Sequence, residues 1–366
     1  MKKQVTSNIL NHTLILLCLF FALVSCNNSA IQVIYLKCEN MSNPLGIDIP
    51  QPVLSWQIHT HANNVYPAAY QVLVASSIQK LNENKGDFWD TGKISDGSLF
   101  QVKYKGKPIE TGKKYYWKVR VWNKEGKVSE WSKPAWFGAG VMKNEDWKAK
   151  WIKAPNLPES SMPLFRKEFK INKNLKNATA FVTGLGYNEF YINGKKVGDR
   201  VLEPAQTNYD FYAFYSTFDI TEYLAKGINC AGIMLGDGWY NQNKAFGIDL
   251  SYGKPVAICQ IELEFEDGKT ETIISDSDWF WAAGPVVTAN VYAGETYDAR
   301  KEVKNWCSPG VPDGDWEPAK LASVYPPGLK SQLMPPIKKM NELDVQEIYD
   351  IGNGKYIVDF GQNFAG

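Results

Sequence analysis

Tandem β-sandwiches, an all-β architecture, are what this 366-residue sequence predicts, and three observations carry that expectation. Apolar and polar residues alternate with period two over many short runs. Those runs are bounded by Gly, Asn, Asp and Pro, the residues of tight turns. Long stretches with the 3.6-residue helical period are scarce. A chain of this length is large enough for two or three domains.

The first block, 27–140, holds the clearest alternation. Residues 70–75 (YQVLVA) form a strand with Tyr70, Val72 and Val74 on one face. In 115–122 (YYWKVRVW), Tyr115, Trp117, Val119 and Val121 face one way; Tyr116, Lys118, Arg120 and Trp122 face the other. A turn at 123–126 (NKEG) follows. About a hundred residues of short strands with turn punctuation suit an immunoglobulin-like sandwich. The order PVLSW (52–56) and then YYWKVRVW resembles fibronectin type III modules, which space or bind.

The second block, 147–325, reads as a jelly-roll-like sandwich. Residues 189–197 (EFYINGKKV) form a hairpin whose Asn193-Gly194 pair supplies the positive φ angles of a type I′ turn. In 257–266 (AICQIELEFE), Cys259, Ile261, Leu263 and Phe265 are expected in the core. Gln260, Glu262, Glu264 and Glu266 are expected in water. Asp267-Gly268 turns the chain into a strand at 270–274. A short helix is expected at 219–224, capped by Asp219, with Glu222 three residues on and Gly227 to end it.

Pro326-Pro327 and Pro335-Pro336 mark a linker. Residues 337–366 then begin a further β-domain, with new strands in 348–360. About thirty residues are too few to complete a domain, so the polypeptide is expected to continue past Gly366.

Residues 1–26 carry an address. Lys2 and Lys3 precede a short apolar run at 14–24, which is short for a bilayer span and suits a signal peptide. Leu23-Val24-Ser25-Cys26 resembles a bacterial lipobox. Lipid on Cys26 would tether an exported protein to the cell-envelope membrane, in the periplasm or on the outer surface.

Net charge is +1, with 40 basic and 39 acidic residues spread along the chain. Nucleic-acid binding would need clustered Lys and Arg, and none stands out. Three His, one of them in the signal region, leave little for imidazole catalysis. The glycines of 236–241 (GDGWYN) follow no βαβ pattern, which argues against a nucleotide loop. Cys38, Cys230, Cys259 and Cys307 lack CxxC spacing, so zinc is not expected. Buried thiols are expected. Disulfides fit an exported protein too, but the spacing pairs none of them.

Glu295 and Asp298 lie in GETYDAR (294–300). Glycoside hydrolysis uses two carboxyl groups, but a loop-fixing cluster with Arg300 fits these two better. The better binding candidate is 235–243 (LGDGWYNQN), where Trp239, Tyr240 and Asn241 sit together. TNYD (207–210) adds Tyr209 and Asp210. Aromatic faces with amides and acids suit sugar rings; the same residues also suit ordinary turns with Trp239 packed inward. Asp210, Asp237 and Asn241 offer oxygens that could hold Ca²⁺; no cofactor is otherwise required.

Several runs together resemble bacterial α-L-rhamnosidases of glycoside hydrolase family 78. They are ENMSNPLGIDIPQPVLSW (39–56), YINGKKVGDRVLEPAQTNYD (191–210), LGDGWYN (235–241), AGETYDAR (293–300) and VDFGQNFAG (358–366). INGKKVG is shared with galactose-binding-like domains of other glycosidases. The resemblance implies release of terminal α-L-rhamnose from glycans or glycosides with inversion. It also implies that 337–366 opens a concanavalin-like domain, and that the catalytic pair lies in a downstream (α/α)₆ barrel. No catalytic residue is therefore assigned here. Some relatives use the second sandwich as a Ca²⁺-dependent rhamnose-binding module, which makes Asp210 and Asn241 its candidate metal ligands. A stand-alone glycan-binding surface lipoprotein and a different exo-glycosidase remain open as alternatives.

Overall fold

A computed structural model describes residues 31–242, 248–310, 313–323 and 328–364. The signal region, Cys26, Asn243 and the first proline pair lie outside the described residues. The chain divides between Trp147 and Lys148 into two compact units.

The first unit stacks a three-stranded and a four-stranded antiparallel sheet. The smaller sheet runs Gln32–Cys38, Val53–His59, Val102–Lys103. The larger runs Trp89–Asp90, Pro67–Ala75, Lys114–Asn123, Ala135–Gly138. Alternation sets the packing: Tyr115, Trp117, Val119 and Val121 are all buried, while Tyr116, Arg120 and Trp122 are partly exposed. A single turn of α-helix, Ile78–Asn82, is capped by the Ser77 hydroxyl, which accepts from Lys80 N. Its five residues are too few for a visible helical period.

The second unit is a larger sandwich. One sheet runs Lys320–Leu321, Ile152–Lys153, Val256–Phe265, Leu175–Leu185, Tyr212–Asp219, Gly328–Ser331, with Thr270–Ile274 paired to Val256–Phe265. The other runs Lys195–Lys196, Tyr187–Ile192, Gly227–Gly236, Pro163–Ile171, Phe280–Ala283, Glu317–Pro318. Ala178, Ala180, Val182, Cys259, Ile261, Leu263 and Phe265 face Phe165, Phe169, Ala231, Ile233, Trp279 and Trp281 in one core. Each large side chain buried there contributes roughly 1.5–3 kcal/mol. Asn193 and Gly194 have φ of 52° and 79°, the type I′ turn expected of that pair.

Two expectations need correction. Gln260 is fully buried, not in water. Its Oε1 accepts from the backbone N–H of Lys148 (2.7 Å) and Ala149 (3.2 Å), and its Nε2 donates to Glu262 Oε1 at 2.8 Å. The entering chain covers this side of the strand, and the amide satisfies groups that burial would orphan. The helix expected at 219–224 is only a 3₁₀ turn, Thr221–Tyr223. Asp219 Oδ1 still accepts from Thr221 N and Oγ1, but the chain straightens at Leu224.

Residues 347–359 form an antiparallel hairpin, Glu347–Gly352 with Lys355–Asp359. Its strands are exposed on both faces, including Ile348, Ile351, Tyr356 and Ile357.

Gln260→Ala should destabilise the second unit by about 1–3 kcal/mol, because a fully buried amide is lost and the N–H groups of Lys148 and Ala149 lose their acceptor. Urea unfolding measures the loss, and faster hydrogen exchange at Lys148 and Ala149 locates it. Glu271→Ala, on an exposed strand, should stay within about 0.5 kcal/mol of wild type.

Candidate functional site

The strand Gly227–Gly236 ends at a tight crossing. Gly238 has φ of 54°, and a Cβ there would lie 2.7 Å from Tyr187 N, so only glycine fits. The chain then turns, with Asn241 N donating to Asp237 O at 3.1 Å. Tyr252 N donates to Tyr240 O at 3.0 Å, which lays the 249–253 segment alongside.

These turns wall a cavity of about 700 Å³ in the second unit. Its lining includes Tyr209, Asp210, Tyr240, Tyr252, Lys153 and Lys254. Tyr209 meets Tyr240 edge-on at 5.2 Å and Tyr252 at 5.4 Å. Tyr240 and Tyr252 stack at 5.8 Å and 21°. Burial pushes the Tyr209 and Tyr240 phenols above their usual range, so both stay protonated. Tyr252 is half-exposed. The loop bearing Tyr209 is anchored by buried Glu203, whose carboxylate accepts from Ser216 Oγ and from Gln332 Nε2 (3.1 Å).

Of the predicted residues, Tyr209, Asp210 and Tyr240 come together at this cavity. Trp239 does not line it; it is partly buried and meets Tyr292 edge-on at 5.7 Å. Asn241 is also turned to structure. Its Nδ2 donates to Asp237 Oδ1 at 2.6 Å, and its Oδ1 accepts from Ser251 Oγ at 2.6 Å. Asp237 Oδ2 accepts from Ala289 N at 3.2 Å. Burial pushes the Asp237 carboxyl up, against these two hydrogen bonds. Tyr252 was missed by the sequence reading. The only cue was an aromatic residue in a polar turn, a pattern that does not tell a wall from a cover.

Among the described residues no group of three His, Cys, Asp or Glu is arranged to hold a metal ion, and the Asn241 amide oxygen accepts from Ser251 Oγ. Asp210 is the single carboxylate in the lining. Tyrosine faces, one acid and two amines can hold a neutral polyol, but hydrolysis of a glycosidic bond requires a second carboxyl group.

Of the cluster expected in GETYDAR, Asp298 and Arg300 come together and Glu295 does not. Asp298 grips Arg300 through two 2.8 Å bonds, to Nε and Nη2, and also caps the 3₁₀ turn Ala299–Lys301. Glu295 stays exposed on the strand Gly294–Tyr297.

Comparison with known proteins places this geometry. The family model described as "Alpha-L-rhamnosidase N-terminal domain" matches residues 173–341. "Rha78A-like, N-terminal immunoglobulin domain" matches residues 33–143. The chain carries the N-terminal domains of the α-L-rhamnosidases. A curated α-L-rhamnosidase of Formosa agariphila is 38% identical over 354 residues, 89% of this chain. The chain spans only 37% of that relative's length. The α-L-rhamnosidase structure from Dictyoglumus thermophilum aligns with a TM-score of 0.81 at 38% identity, covering 91% of this chain and 39% of that one. The Streptomyces avermitilis α-L-rhamnosidase complexed with L-rhamnose aligns at 0.84 and 25% identity, covering 91% and 49%. Both rhamnosidase domains thus fall on β-sandwich units of this chain.

The Arg300 guanidinium holds the Asp298 carboxyl at about 2, below its ordinary 3.8. A depressed folded-state value stabilises above 3.8, and that contribution is lost as pH falls through about 2. A carboxyl-carbon NMR titration should therefore find Asp298 titrating near 2, and Arg300→Met should return it toward 3.8.

Proposed function

We propose that this chain is the noncatalytic, sugar-binding front of an exported exo-glycosidase that releases terminal α-L-rhamnose. The observation that carries the reading is the tyrosine-walled cavity, lodged in a rhamnosidase N-terminal sandwich and holding one carboxylate. Rhamnose is a deoxy sugar with an apolar methyl and several hydroxyls. Half-exposed Tyr252, backed by Tyr240, offers a ring to the first, while Asp210 and the lysines offer partners to the second. Inverting hydrolysis would use two carboxyls roughly 6.5–9.5 Å apart. We assign that pair to polypeptide outside this chain.

The reading includes a lipid on Cys26, supported by the apolar run and the LVSC sequence. In a bacterial host, labelled palmitate should enter the wild-type protein and fail to enter Cys26→Ser.

Calorimetric titration of the chain with L-rhamnose tests the cavity. Tyr252→Ala should weaken binding about 2- to 10-fold, the loss of one aromatic contact, and Trp239→Ala should leave it unchanged. The reverse pattern would move the site to Trp239. Aryl α-L-rhamnoside should release no phenol with this chain alone, whereas the full-length protein should hydrolyse it.

A further inference from the structure

The outer face of the six-stranded sheet carries a buried thiol pair that the sugar-binding reading does not use. Along Gly227–Gly236, Ala231, Ile233 and Leu235 point into the core. Cys230 and Gly232 therefore point outward. Register places Glu168 opposite Cys230, and both Arg166 and Tyr191 opposite Gly232. The segment 305–310 folds down onto this patch.

Gly232 makes that approach possible. A Cβ there would lie 2.5 Å from the Trp306 ring and 2.6 Å from Cys307 Sγ. Cys307 Sγ lies 3.7 Å from the carbonyl oxygens of both Tyr191 and Cys230. The Cys230 side chain lies on the same face, and both cysteines are closed off from solvent. Trp306 meets Tyr191 edge-on at 5.0 Å. Arg166 Nη2 donates to Ser308 O at 3.0 Å and to Gly310 O at 3.1 Å, so the segment is held after the thiol by Arg166 and before it by the Trp306 ring.

No other described cysteine competes. Cys259 lies in the core between the sheets, on the far side of the strand Gly227–Gly236 from Cys307. Cys38 belongs to the first unit. The sequence left all pairings open; the fold brings together one.

We propose that Cys230 and Cys307 become an intrachain disulfide when the chain meets an oxidising compartment, pinning segment 305–310 to the sheet. The Cys307 sulfur stands 3.7 Å from the Cys230 carbonyl oxygen, and forming the bond of about 2.05 Å draws the two sulfurs together. Two thiols give up two protons and two electrons. A disulfide oxidant, such as oxidised glutathione, accepts them and is reduced to two thiols. The Cys307 thiol, with the Arg166 guanidinium, holds Cys230 below the usual thiol range, while burial pushes Cys307 up. Cys230 is thus the more acidic thiol of the pair.

The folded chain is equilibrated in glutathione buffer of oxidising poise, alkylated after denaturation, and digested. The expected product is a peptide pair joining Cys230 to Cys307, lighter by two hydrogen atoms than its parts. Cys38 and Cys259 should remain alkylated. Oxidised protein should melt about 5–10 °C above reduced protein, as cross-linking a loop of 77 residues implies. Cys259→Ser should keep the link, and Cys307→Ser should abolish it. Alkylation of both Cys230 and Cys307 in folded, oxidant-treated wild type overturns the proposal. So does a link from either one to Cys38 or Cys259. The wild-type map decides the matter even if Cys307→Ser fails to fold, and it is independent of rhamnose binding.

Discussion

Everything at the cavity depends on the register between Leu175–Leu185 and Val256–Phe265. Their last pair, Leu185 opposite Val256, lies in the cavity wall. A slip of one residue would turn Cys259, Ile261, Leu263 and Phe265 out of the core and move that pair at once. The core holds the register because both inner faces are fully apolar, and Gly184 tightens it: a Cβ there would lie 2.8 Å from Leu235 Cδ2. The segments bearing Tyr209, Tyr240 and Tyr252 therefore converge where the strands end, and they need little structure of their own to do so.

Alternation made most of the sandwich legible, because a strand with one buried face writes its packing into every second residue. Asn193-Gly194 was legible for a similar reason, since few residue pairs tolerate two positive φ angles. Gln260 was not. Its burial comes from a backbone segment more than a hundred positions away in sequence, and a period-two pattern records only which face a residue occupies. The 3₁₀ turn at Thr221–Tyr223 misled because Asp219 makes the same local bonds at the start of either helix type. Tyr252 and Trp239 show the limit for loops. Composition says that an aromatic is present, but only the path of the chain says whether it walls a cavity or packs against Tyr292.

The acids of the second sandwich divide by what already holds them. Glu203, Asp237 and Asp298 are each occupied by hydrogen bonds that shape a loop. Asp210 is left facing the cavity. A general acid and a general base must exchange protons with substrate and water, so a carboxylate spent on backbone amides or a guanidinium is poorly placed for either task. This distribution leaves the cavity without a second carboxyl group among its described lining residues.

The outer face of the six-stranded sheet is covered around Arg166, Cys230 and Gly232, although antiparallel sheets commonly leave that face to water. The cover is the irregular chain that follows Gly294–Tyr297, and that cover contains charge. Arg166 is buried, so its positive charge must be met in place. Glu168 meets it at 2.8 Å, and the carbonyls of Ser308 and Gly310 take further N–H groups. Glu168 in turn accepts from Gly310 N at 2.7 Å. Removing Glu168 would strand the guanidinium and free Gly310 together, so the ion pair and the loop stand or fall as one. An irregular segment with little secondary structure is thereby tied to the sheet, with Cys307 over Gly232 and its sulfur 3.7 Å from the Cys230 carbonyl oxygen.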